Sequence, residues 1–124
     1  MLETRRVLSN GLVAAYSFNE GTGAAVADLS GSGNAGTIAN AAWTAAGRFD
    51  SALSFNGANA LVTISDSISL DLANGMTLEA WVKPAAVSSV SRDVIYKGDD
   101  GYYLLATSTN SGRPASGASV GGSP

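Results

Sequence analysis

The chain never runs far without a glycine-bearing turn. Fifteen of its 124 residues are glycine. Many fall in short clusters: Asn19-Glu20-Gly21-Thr22-Gly23, Ser30-Gly31-Ser32-Gly33-Asn34, Asn56-Gly57 and Gly98-Asp99-Asp100-Gly101. Glycine in a helix interior costs roughly 0.5–1 kcal/mol relative to alanine, and it supplies the positive φ that tight turns demand. Between the clusters lie apolar runs too short for helices, several of them alternating. The pattern predicts short strands joined by tight turns.

The expected strands follow from those runs. Residues 12–18 (LVAAYSF) alternate and carry Tyr16 and Phe18, and residues 24–29 form a weaker extended stretch. Short strands are expected at 36–39, at 42–44 around Trp43, and at 52–55, where Asn56-Gly57 gives a hairpin signal into 61–64. Residues 66–74 read as an irregular connection. The strongest strand signal is 76–83 (MTLEAWVK), with Met76, Leu78, Ala80 and Val82 on one face, and Pro84 ends it. Two further strands are expected at 93–97 and 102–107. From Asn110 onward glycine, serine and proline dominate, which predicts a flexible tail. The domain reading is an N-terminal extension at 1–10, one sandwich at 11–109 and the tail at 110–124. The fold class is all-β, an antiparallel β-sandwich or jelly roll.

Composition narrows the chemistry. The chain has no cysteine and no histidine. Disulfides and thiolate metal sites are excluded, as are His-ligated zinc and the Ser-His and Cys-His nucleophile pairs. Net charge is −3, and the seven Lys and Arg residues are scattered apart from Arg5-Arg6. No basic stripe exists to neutralise phosphates, so no nucleic-acid partner is expected. No window is long and apolar enough for a membrane span, and residues 1–10 lack the apolar region of a signal peptide.

Two motif matches fail on context. Gly31-Ser32-Gly33-Asn34-Ala35-Gly36 has dinucleotide-fingerprint spacing, yet it leads into the extended pair Thr37-Ile38 and not into a helix that would hold pyrophosphate. Gly117-Ala118-Ser119-Val120-Gly121 has nucleophile-elbow spacing but lies in the low-complexity tail of a chain without histidine.

Trp43, Trp81, Tyr96, Tyr102 and Tyr103 are the aromatic candidates for stacking on a sugar ring. In a two-sheet sandwich most aromatics belong to the core, and Trp81, central in the strongest run, is expected to be buried. Tyr102 and Tyr103 are adjacent and face opposite ways in a strand, so one of them is accessible, with Asp99 and Asp100 beside it.

Four blocks in order resemble laminin-G-like, concanavalin A-like domains: residues 12–23 (LVAAYSFNEGTG), 26–37 (VADLSGSGNAGT), 52–57 (ALSFNG) and 76–84 (MTLEAWVKP). The resemblance spans about residues 11–105. It implies a sandwich of two curved antiparallel sheets and a sugar-binding or adhesive role without catalysis. Carbohydrate is the implied partner, with an extracellular or cell-surface setting. The ligand-binding candidates are Tyr102, Tyr103, Asp99, Asp100 and Trp81.

The same resemblance brings calcium into view as a cofactor. Glu20, Asp28, Ser30 and Asn34 stand around the glycine-rich turns, where a hard cation finds oxygen ligands. The competing reading is that Asp28 and Asn34 form Asx turns and Glu20 is solvated. Related concanavalin A-like folds include glucanases, whose chemistry needs two carboxyl groups flanking the scissile bond. The catalytic candidates on that reading are Glu20, Glu79 and Asp66. Glu79 has no acidic neighbour at 77 or 81, and an ion pair with Lys83 or hydrogen bonds at the sheet accounts for it. Such sandwiches carry further strands beyond those visible here. Open sheet edges left in their absence predict self-association by dimerisation or strand exchange.

Overall fold

A computed structural model of the chain describes residues 11–98 and 101–119. Among them the chain is all-β, with every strand pair antiparallel and a lone 3-10 turn at Ile68–Leu70. The chain divides between Leu70 and Asp71 into two compact units.

The first unit holds β1 (Ala25–Val26), β2 (Gly36–Ala39), β3 (Ala42–Thr44), β4 (Ala52–Ser54) and β5 (Leu61–Ile64). They form a three-stranded sheet of order β1-β2-β5 and a β3-β4 ribbon. Register sets Val26 beside Gly36 and Gly36 beside Ile64, so these share one face with Ile38 and Val62. That face is buried or half-buried, while Ala25, Thr37, Ala39, Leu61 and Thr63 point to solvent. The alternation is that of an antiparallel sheet with one wet face. Gly36 is glycine because of packing. A β-carbon there would stand 2.7 Å from Val62 Cγ1 and 2.8 Å from Val26 Cγ2. The third glycine of the dinucleotide-like spacing thus makes room for two valines.

Two expectations fail in this unit. Residues 12–18 join no ladder. They are tied down locally, Leu29 N donating to Ala15 O at 2.8 Å and the Tyr16 hydroxyl to Asn34 O at 2.6 Å. Phe18, at φ +55°, stands outside the β region. The Asn56-Gly57 turn does not close a hairpin either, since β4 pairs back on β3 and β5 pairs with β2. It carries the chain from one sheet to the other. Asn56 Oδ1 accepts the amides of Ala58, Asn59 and Ala60 at 2.9, 3.0 and 3.1 Å, which satisfies the turn internally.

The second unit is built on β6 (Arg92–Lys97), β7 (Tyr102–Thr107) and β8 (Ala115–Ala118), in the order β6-β7-β8. Register shifts flank Asp93 and Val94, so β6 is bulged there. Tyr102, Thr107, Ser108 and Gly112 are buried, and Thr107 Oγ1 donates to Val90 O at 2.7 Å. Strand β8 corrects the expectation of a flexible tail at 110–124 for these four residues. Its Ala-Ser-Gly-Ala sequence carries no apolar signal, and it is a strand because β7 offers it a ladder edge.

Residues 76–83 correct the strongest strand expectation, for they belong to no ladder. Their apolar side still serves packing. Ala80 and Val82, with Val94, Leu104, Leu105, Ala106 and Pro114, line an open aliphatic cavity of about 180 Å³. Trp81, expected in the core, is 73% exposed. Exposure on this scale recurs: Ile68 is 91% exposed, and Val26 and Tyr102 are the buried hydrophobic side chains among the described residues. No helix among the described residues is long and apolar enough to cross a membrane.

Candidate functional site

The hairpin of β6 and β7 brings two tyrosines together. Register places Tyr96 opposite Tyr103 and Lys97 opposite Tyr102. Directly opposed residues share a face, so Tyr96 and Tyr103 stand side by side and Tyr102 points the other way. Burial follows suit: Tyr103 is 39% exposed and Tyr96 57%, whereas Tyr102 is 7% exposed. On the next strand Gly117 lies opposite Tyr103. A β-carbon at Gly117 would sit 2.7 Å from Tyr103 Cε1, Cζ and Oη, so the phenol end of the ring occupies the space a side chain would fill. Glycine on β8 thereby seats Tyr103 low on the sheet, next to Tyr96. The result is an aromatic strip that crosses the strands.

Tyr102 belongs to the interior of this unit and drops out of the accessible candidates. Burial raises its phenol above the usual 10.0, the Lys97 charge works against that, and Asp71 adds to it. Lys97 Nζ reaches Asp71 Oδ1 at 3.0 Å. Trp81 is accessible in the same unit. Asp99 and Asp100, expected beside the tyrosines, lie outside the described residues.

The candidate cation ligands come together in another way. Asp28 Oδ1 accepts Ala15 N and Ser30 N, each at 2.9 Å, while Oδ2 accepts the Ser30 hydroxyl at 2.8 Å and Asn34 N at 2.9 Å. A carboxylate has about four lone-pair sites, and all four are occupied. Burial acts to raise the Asp28 pKa, and the bonds from Ser30, Ala15 and Asn34 outweigh it, so the group ionises below 3.8. Asn34 is buried, its Nδ2 donating to Val13 O and Ser69 Oγ, both at 2.8 Å. Glu20 Oε1 accepts Ala27 N at 2.8 Å. Asp28, Ser30 and Asn34 therefore form one hydrogen-bonded lock that ties residues 13–16 and the 3-10 turn to the β1–β2 loop. The Asx-turn reading describes this arrangement. Among the described residues no group of three or more carboxylates gathers as a metal cluster.

The catalytic candidates form no acidic cluster of three among the described residues. Glu20 and Asp66 belong to the first unit and Glu79 to the second. The aliphatic cavity has no carboxylate in its lining. Paired-carboxylate hydrolysis finds no support in it.

Gly117 is the residue the sequence reading left out of the site, and Tyr96, a stacking candidate there, was not paired with Tyr103. Tyr96 had a signal: a hairpin through Gly98–Gly101 that sets Lys97 against Tyr102 must set Tyr96 against Tyr103. Gly117 had none, since nothing in its neighbours marks a strand. No protein-family model, curated protein or solved structure matches the chain.

Proposed function

We propose that this chain is a non-catalytic carbohydrate-binding or adhesion module, a β-sandwich of the laminin-G-like, concanavalin A-like kind. The observation that carries the reading is the paired, solvent-facing Tyr96 and Tyr103 on a sheet whose third strand seats Tyr103 with a glycine. An exposed aromatic face provides apolar area for the C–H face of a sugar, and neighbouring carboxylates accept hydroxyl hydrogen bonds. Asp99 and Asp100, which lie between the two tyrosines in the sequence, are the candidate acceptors on the sequence reading, and Trp81 offers a further aromatic. The resemblance of four sequence blocks to laminin-G-like domains points the same way.

The test is a titration of soluble glycans by calorimetry against the intact chain and Tyr103→Ala. A glycan that binds the intact chain and loses at least about tenfold in affinity to Tyr103→Ala supports the proposal, that factor corresponding to one lost contact of about 1.4 kcal/mol. Undiminished binding by Tyr103→Ala, or no binding across the panel by a protein that melts cooperatively, overturns it. A calcium role belongs to the same proposal and is read from melting curves with calcium and with EDTA. A site at Asp28 has to displace hydrogen bonds already made there, so a calcium-dependent rise in melting temperature is the outcome that restores it.

A second reading is favoured by a separate observation. The sheet ends at β1, β5, β6 and β8, together with large exposed apolar side chains such as Ile68, Val87 and Phe49, suit self-association. It describes an assembly role that needs no sugar.

A further inference from the structure

We propose that Asn74 is a site of spontaneous covalent modification, converting to aspartate and isoaspartate, and that the fold protects the chemically equivalent Asn56. Both asparagines precede glycine, as does Asn10, which lies outside the described residues. Glycine allows the reaction because no side chain shields its amide nitrogen. That nitrogen, once deprotonated by hydroxide, attacks the asparagine Cγ. The new C–N bond closes a five-membered succinimide, the Cγ–Nδ2 bond breaks, and ammonia leaves. Water then opens the ring at either carbonyl, giving aspartate or isoaspartate. The balance is one water consumed and one ammonia released, with no change in oxidation state.

What separates the two sites is the freedom of the side chain to turn toward the next nitrogen. Asn56 is held at both ends of its amide. Its Oδ1 accepts the backbone N–H of Ala58, Asn59 and Ala60, and its Nδ2 donates to Asn59 Oδ1 at 2.7 Å. Reaching the Gly57 nitrogen means breaking that set. Asn74 lies in the irregular stretch after the 3-10 turn, is exposed, and has no side-chain hydrogen bond among the described residues. Gly75 stands at φ +141° with open space around the position a β-carbon would take, and its amide is engaged in no bond among the described residues. The reaction places a new negative charge, and in isoaspartate an extra main-chain methylene, directly before the segment that contributes Ala80 and Val82 to the aliphatic cavity.

The experiment is to incubate the whole chain at physiological temperature and mildly alkaline pH, with and without denaturant, and map peptides by mass spectrometry. Conversion is read as the mass difference between OH and NH2, and isoaspartate by enzymatic methylation. In the folded protein Asn74 is expected to convert at least about tenfold faster than Asn56, because several hydrogen bonds have to open at Asn56. In denaturant the two rates are expected to converge, and Gly75→Val is expected to slow the reaction at Asn74 alone. Equal rates in the folded chain, or a preference for Asn74 that persists in denaturant, overturn the proposal.

Discussion

Asp28 is a small anion that organises three backbone amides and a hydroxyl. In the fold its ionised form is stabilised, with its pKa held below 3.8. Its contribution to stability is therefore present above the unfolded value and is lost as pH falls through the folded pKa. Asp28→Ala leaves Ala15 N, Ser30 N and Asn34 N without their acceptor and is expected to cost about 1–3 kcal/mol, the usual range for amides so deprived when partly reached by water. Denaturant midpoints measured from neutral to acid pH check this. The intact chain loses stability toward acid, and Asp28→Ala loses much less over the same range. Tyr102 gives the opposite limb. Its buried phenol ionises above 10.0, so its contribution is complete below the unfolded pKa and disappears as pH rises through the folded one. Tyr102→Phe is expected to flatten the alkaline fall in stability while leaving the neutral value nearly unchanged. An alkaline limb identical in both proteins counts against this assignment.

At the scale of elements, the hairpin of β6 and β7 was legible. Expected strands at 93–97 and 102–107 meet observed strands at Arg92–Lys97 and Tyr102–Thr107. The short strands of the first unit at Gly36–Ala39, Ala42–Thr44 and Leu61–Ile64 fall where the apolar runs put them, and Ala52–Ser54 stops one residue short. Residues 76–83 and β8 show why the rest was hidden. Alternation at 76–83 records which side chains meet an apolar surface, but a strand also needs a neighbouring backbone to bond with, and that is a property of the fold. Strand β8 is the converse, a ladder partner without a hydrophobic code. The same limit hid part of the site, since one of Tyr102 and Tyr103 was expected to be accessible, while which of them it is and the seat of Tyr103 on Gly117 depend on the strand pairing. Amide hydrogen exchange tests the distinction. Central strand β7, bonded on both sides, is expected to carry the slowest amides of its unit, and residues 76–83, outside any ladder, to exchange faster than β7. Protection at 76–83 equal to that of β7 counts against the assigned ladder.

At the scale of the molecule, burial is thin. Val26 and Tyr102 are the buried hydrophobic side chains among the described residues, while Leu29, Phe55, Ile68 and Trp81 face solvent. Apolar surface left in water forgoes about 25 cal/mol per Å² of stabilisation. Any association that covers it stabilises the folded chain by mass action. The expected outcome is a melting temperature that rises with protein concentration, together with a mass above that of one chain in light scattering. A monomer whose melting point is independent of concentration refutes the assembly reading and leaves the sugar-binding reading standing.

The seat of Tyr103 on Gly117 also has a consequence in time. A nascent chain leaves the ribosome N-terminus first, so both tyrosines emerge well before the glycine that levels one of them. Residues 11–107 can be outside the exit tunnel while the aromatic strip still lacks its floor. On the binding reading, the strip is complete only once Gly117 has joined the sheet. A chain still short of β8 is then expected to bind glycan more weakly than the same chain with β8 in place.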